Sequence, residues 1–121
     1  MNRGEVYLTN ILLPDRVSQS GRQPVRKYIV LLQGGQSFAS QTEVAVVIAS
    51  TLRPPGRRPQ RYEVIVGQPE GFQRETVIDC RWPYTLIEQE VTAGRLHTTL
   101  PRDVMERVNV ALVAGLQMNV I

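Results

Sequence analysis

The sequence predicts a mainly β domain: a small, strongly bent antiparallel sheet or barrel of roughly five to seven short strands, with one C-terminal helix laid across it. Three observations carry this. The apolar runs are short and separated by clusters of Gly, Pro, Asn and Ser, which is the spacing of strands and turns. The period then changes: Val104, Val108, Ala111, Leu112, Gly115 and Leu116 recur at three and four residues, the apolar stripe of an amphipathic helix. Finally, 121 residues at 42% hydrophobic make one domain with enough apolar surface for a core, and a single cysteine rules out a disulfide within the chain.

Glu5 to Thr9 alternates around Val6, Tyr7 and Leu8 and reads as the first strand. Asn10 to Pro24 is rich in turn residues, a long loop. Tyr28 to Leu32 is a buried strand ended by Gln33-Gly34-Gly35-Gln36, and Glu43 to Ala49 is the strongest strand signal. Leu52 to Arg61 holds three prolines and a glycine, which break every ladder. Tyr62 to Val66, Thr76 to Cys80 and Tyr84 to Ile87 read as three further strands, and Leu96 to Thr98 as another. Pro101 suits a first helical turn, and Asp103 favours the positive end of the helix dipole.

The apolar runs Val44 to Ala49 and Val110 to Leu116 fall far short of the ~20 residues that span a bilayer. Met1-Asn2-Arg3-Gly4-Glu5 lacks the apolar stretch of a secretory signal. A soluble, cytoplasmic, single-domain protein over residues 1–121 is expected.

Charge is unevenly placed. Thirteen of the 14 basic residues are Arg; residues 1–61 carry nine basic and three acidic side chains, residues 62–121 five and eight. Arginine pairs phosphate in a planar fork, so an Arg-rich half is the composition of a nucleic-acid face. Codon bias would explain the excess of Arg over Lys, but not the change of sign along the chain.

One histidine, His97, excludes a two-histidine ribonuclease within one chain. No Cys/His cluster has zinc spacing, the acidic residues are scattered, and phosphate-loop and dinucleotide patterns are missing. Any chemistry is expected to need no metal or cofactor and to run on Arg, Ser, Thr, Gln and backbone groups. Arg53, Arg57, Arg58 and Arg61 on the Pro-stiffened loop can track phosphates, or form a solvated basic loop. Arg16, Arg22, Arg26 and Lys27 form a second basic patch. His97 and Cys80 read as structural residues, and Trp82 either stacks on a base or caps the core.

The order of these features resembles the MazF/PemK family of toxins. Arg3-Gly4-Glu5-Val6-Tyr7 is similar to the family's opening Arg-Gly-acidic-hydrophobic-aromatic motif. A basic Gly-containing loop, an Arg before an aliphatic strand and a second aliphatic strand ending in hydroxyl residues follow in the family's order. Gly94-Arg95-Leu96-His97-Thr98-Thr99-Leu100, then Met105-Glu106-Arg107-Val108 and Ala111-Leu112, resemble its last strand and helix. The resemblance implies an SH3-like β-barrel, a homodimer, and metal-independent cleavage of single-stranded RNA by attack of the ribose 2′-hydroxyl on the adjacent phosphate. It also implies a cognate antitoxin.

In that family an Arg and a Thr act at the cleaved phosphate. The Arg usually precedes a proline, whereas Gln23 precedes Pro24 here; matching on the strand gives Arg26, with Arg22 as the nearby substitute. Ala49-Ser50-Thr51 places the hydroxyl at Thr51, with Ser50 as the alternative. RNA contacts are expected from Arg16, Gln23, Arg53, Arg57, Arg58, Arg61 and Trp82. Arg81-Trp82-Pro83-Tyr84-Thr85 stands where the family has an acidic residue, Gln, a hydrophobe, Arg and Thr, and only Thr85 matches. The alternative is therefore a same-fold protein that binds RNA, or a protein target such as gyrase, without cutting.

Overall fold

In a computed structural model, residues 2–11, 24–33, 36–38 and 41–119 are described. Their central feature is one antiparallel sheet whose central strands are buried on both faces. In chain order the strands are β1 (Glu5–Ile11), β2 (Val25–Leu31), β3 (Gln36–Phe38), β4 (Gln41–Thr51), β5 (Glu63–Val66), β6 (Thr76–Ile87) and β7 (Arg95–Thr99). They lie side by side as β5-β6-β4-β2-β1-β7, with β3 pairing the start of β4. Helix α1 (Glu88–Thr92) follows β6, and α2 (Arg102–Asn119) ends the chain.

Both faces of this sheet are covered. On one face Val6, Val30, Val47, Ala49, Val64 and Ile78 pack against Val104, Met105, Val108 and Ala111 of α2. On the other, Ile11, Ile29, Leu31, Val44 and Val46 pack with Val91 of α1. Ile29-Val30-Leu31 is a continuous apolar run for that reason: its middle residue feeds one core and its flanks the other. Each such buried aliphatic side chain contributes about 1.5–3 kcal/mol relative to exposure.

Four elements differ from the sequence reading. β6 is one strand, not two, because Ile48 pairs Asp79 while Val46 pairs Tyr84. The stretch 80–83 thus bulges opposite Val47, where Pro83 has no ladder bond to lose. Helix α1 and strand β3 add to the expected elements, too short to show a period. Leu116 is 53% exposed; the buried stripe of α2 runs Val104, Val108, Ala111, Gly115 and drifts off Leu116.

The outermost strands β5 and β7 are joined through side chains. The β1–β7 register shifts between Val6 and Tyr7, which face Thr98 and Leu96, leaving His97 as a bulge residue. His97 Nε2 lies 2.9 Å from the Gly71 carbonyl oxygen, and Thr98 Oγ1 donates to the Glu70 carbonyl at 3.2 Å. Both acceptors lie at the end of the 3₁₀ turn Gln68–Glu70 that follows β5. Arg3 is likewise structural: it donates to the Leu32 carbonyl at 2.6 Å and to Asn109 Oδ1, tying the start of β1 to β2 and α2. No helix among the described residues is long and apolar enough to cross a membrane.

Candidate nucleic-acid interface

Arg26 and Thr51 lie on adjacent strands of the sheet, β2 and β4. Tyr28 pairs Ala49, Ile29 pairs Ile48, and Val30 pairs Val47. The ladder ends at Tyr28 and Ala49, and Arg26 and Thr51 stand two residues beyond it on the two adjacent strands. Each is held in the sheet from its other side, Arg26 by Asn10 of β1 and Thr51 by Thr76 of β6. Alternation puts both on the face of Tyr28 and Ala49, yet both are exposed, because they stand at the end of the strands beyond the reach of α2. Lys27 and Ser50 fall on the opposite face by the same alternation. A guanidinium and a hydroxyl exposed on the same face of neighbouring strands are groups that can bind phosphate oxygens.

The remaining candidates separate by environment. Arg16, Arg22 and Gln23 lie outside the described residues. The 52–62 loop begins directly after Thr51, with Leu52 buried and its N–H donating to the Glu75 carbonyl at 2.9 Å. Arg53, Arg58 and Arg61 are exposed on it. Arg57 is engaged within the loop. Its guanidinium donates to both carboxylate oxygens of Glu63 at 2.8 and 2.9 Å, and to the Arg53 carbonyl at 2.9 Å. That fork orders the loop and leaves Arg57 less able to hold a phosphate. Trp82 is half-buried on the β6 bulge, where the Arg81 guanidinium stands 4.5 Å from the Tyr62 ring centroid and 5.5 Å from that of Trp82. These are cation–π distances.

Glu63 makes the loop pH-dependent. Hydrogen bonding from Arg57 holds its carboxyl below the ordinary carboxylate value. A group depressed on folding stabilises above its unfolded pKa and loses that contribution as pH falls through the folded one. Stability measured from pH 7 downward is therefore expected to fall through the acid range, and the slope to shrink in Glu63→Gln. That variant should also cost about 1.5–3 kcal/mol at pH 7, the worth of hydrogen bonds to a charged group. An unchanged acid limb in the variant would remove Glu63 from this role.

Three features escape sequence reasoning. The rings of Tyr28, Phe72 and His97 cluster with centroids 4.8–5.2 Å apart, on the same face as Arg26 and two residues along β2 from it. Only the bulge in β7 turns His97 toward them, and no pattern in the sequence announces it. A cleft of about 370 Å³ lies beside Arg26, lined by Leu8, Thr9, Asn10, Ala93, Gly94 and Arg95. Gly94 makes it possible: a Cβ there would stand 2.3 Å from the Leu8 carbonyl oxygen and 2.4 Å from Thr9 Cβ, so only glycine lets the chain after α1 lie against β1. The third is an apolar groove of about 550 Å³ between β5 and α2, where Val64, Ile65, Val110 and Ala111 meet.

Among the described residues no three His, Cys, Asp or Glu side chains gather as metal ligands. Cys80 is fully buried, and burial, with the charge of Asp79, pushes its thiol up to about 12. A thiol so placed carries almost no thiolate at neutral pH. It should resist a thiol reagent at pH 8 in the native protein and react fully on denaturation; rapid native reaction would contradict the burial.

No protein-family model matches the chain, and no curated protein sequence matches it. Solved structures do. A mycobacterial endoribonuclease superposes with a TM-score of 0.68 at 18% identity, covering 97% of this chain and 91% of that one. A mycobacterial endoribonuclease in complex with its cognate antitoxin gives 0.69 at 18%, covering 98% and 96%. The MazE-MazF structure from Deinococcus radiodurans gives 0.63 at 14%, again covering 98% and 96%. The fold is thus shared over nearly the whole length: a curled antiparallel β-sheet with a C-terminal helix, in the arrangement of MazF-type proteins.

Proposed function

We propose that this chain is the toxin of a type II toxin-antitoxin pair, a metal-independent, sequence-specific endoribonuclease of the MazF/PemK family that cuts single-stranded RNA. The observation that carries this reading is that Arg26 and Thr51 are both exposed, on adjacent strands, just beyond the point where β2 and β4 stop pairing. The fold shared with the endoribonuclease structures supports it.

In this mechanism the scissile phosphate sits between the two side chains. The ribose 2′-hydroxyl gives its proton to solvent as its oxygen attacks phosphorus, the bond to the 5′-oxygen breaks, and the leaving oxygen takes up a proton from solvent. The products are a cyclic 2′,3′-phosphate and a 5′-hydroxyl. Charge grows on the non-bridging oxygens as the fifth bond forms. The Arg26 guanidinium neutralises it and the Thr51 hydroxyl donates to one of those oxygens, so both act where charge develops. Arginine stays protonated and serves as a charge rather than a base. Holding the attacking oxygen in line with the leaving one supplies a further part of the rate.

The protein works in the cytoplasm as a homodimer restrained by its antitoxin. Val110, Val113 and Leu116 stand exposed along α2, an apolar stripe suited to a second copy of the chain. Purified protein should cut single-stranded RNA in EDTA, leave cyclic phosphate ends at a recurring sequence, and sediment at twice the chain mass. Intact RNA across a broad set of sequences would sink the reading, and binding without cutting would move it to the same-fold alternative.

A further inference from the structure

We infer that the cleft beside Arg26 receives the nucleotide next to the cleaved phosphate, with Asn10 reading its base and Arg95 holding its outer phosphate. This rests on the proposed ribonuclease reading and adds the determinant of its sequence preference.

The sheet register sets the geometry. Asn10 pairs Arg26 on one side of β1, and Leu8 pairs Arg95 on the other. Two strand spacings of about 4.8 Å and a two-residue offset separate the Arg26 and Arg95 backbones by roughly 12 Å. Both side chains line one cleft, on either side of Leu8 and Asn10. The cleft between them, about 370 Å³, falls in the size range of small-ligand sites.

Its chemistry suits such a unit better than bulk water. Arg26 and Arg95 are both exposed, and neither has an ion-pair partner among the described residues. Among the described residues no carboxylate lines the cleft. Two like charges held around one depression repel, and a phosphodiester between them relieves that repulsion. Leu8 offers an apolar surface for a base. Asn10 carries a carboxamide, one acceptor with two donors, which can meet a base edge in a bidentate pair. β7 begins at Arg95, opposite Leu8, so it stops short of Asn10 and leaves that carboxamide open to the cleft.

Two variants at exposed positions, Asn10→Ala and Arg95→Ala, test the assignment. Sequencing of fragment ends should show the base preference at one position flanking the cut falling roughly tenfold in Asn10→Ala, the scale of a lost bidentate contact. Binding of 2′-O-methyl RNA, which lacks the attacking hydroxyl and stays intact, should weaken in Arg95→Ala at every sequence. Its salt dependence should become shallower by about 0.7 in log–log slope, one phosphate contact on a single strand. Wild-type end sequences with unchanged salt slope in both variants, while the protein still cuts RNA, would overturn the inference and leave the ribonuclease reading standing. A wild-type protein that neither cuts nor binds RNA would overturn both.

Discussion

Arg26→Ala should lower the rate of RNA cleavage by about 10²–10³-fold with the protein still folded. The size follows from removing a preorganised donor from the place where charge develops. The folded state should survive because Arg26 is exposed at a strand end, where substitutions usually change stability by less than about 0.5 kcal/mol. Arg26→Lys separates charge from geometry: a point charge replaces the planar fork, so recovery should be partial. Thr51→Ala should cost a comparable factor and Thr51→Ser much less, since serine keeps the hydroxyl. The double variant should be only slightly slower than either single one, because groups that act on the same oxygens fail together. Single-turnover rates with circular dichroism of each variant measure all of this. Full-rate cutting by both Arg26→Ala and Thr51→Ala would remove the pair from the mechanism. Loss in Ser50→Ala with none in Thr51→Ala would move the hydroxyl to the other face of β4.

Much of the fold is legible in the sequence, and the reason is physical. Glu43 to Ala49 is an apolar, β-branched run that marks a buried strand, Glu5 to Thr9 marks another, and the α2 stripe fixes a helix by its period. Given strands at those positions, matching on the strand and not on Pro24 selects Arg26, which alternation puts on the same sheet face as Thr51 of the neighbouring strand. What stays hidden depends on contacts between distant segments. The fork from Arg57 to Glu63 needs β5 to place its first residue under the loop, and as bare sequence Arg57 looks like its neighbours Arg53 and Arg58. The bulge that turns His97 onto Tyr28 is a slip of one residue between β1 and β7. The single strand β6 reads as two because Pro83 normally ends a strand, and only the skipped ladder opposite Val47 lets it continue.

Gly115 tests how α2 is seated. A Cβ there would stand 2.7 Å from the Cys80 carbonyl oxygen and 2.8 Å from Arg81 Cα, so the helix lies directly on the backbone of the β6 bulge. Two effects oppose each other in Gly115→Ala. Alanine improves helix propensity by about 0.8–1 kcal/mol, while overpacking a close contact costs about 1–3 kcal/mol. The clash should prevail, because the atoms in the way are backbone held in a sheet and cannot rotate aside. Gly115→Ala is expected to be net destabilising by about 1–2 kcal/mol. Gly115→Leu should be more so, lowering the melting temperature by about 4 °C for each kcal/mol lost. Gln117→Ala, exposed on the same helix, should stay within about 0.5 kcal/mol of the parent. Thermal unfolding of the three variants decides it. A Gly115→Leu protein as stable as the parent would mean that α2 stands off the bulge, and that Val104, Val108 and Ala111 are not held in the core by the contact at Gly115.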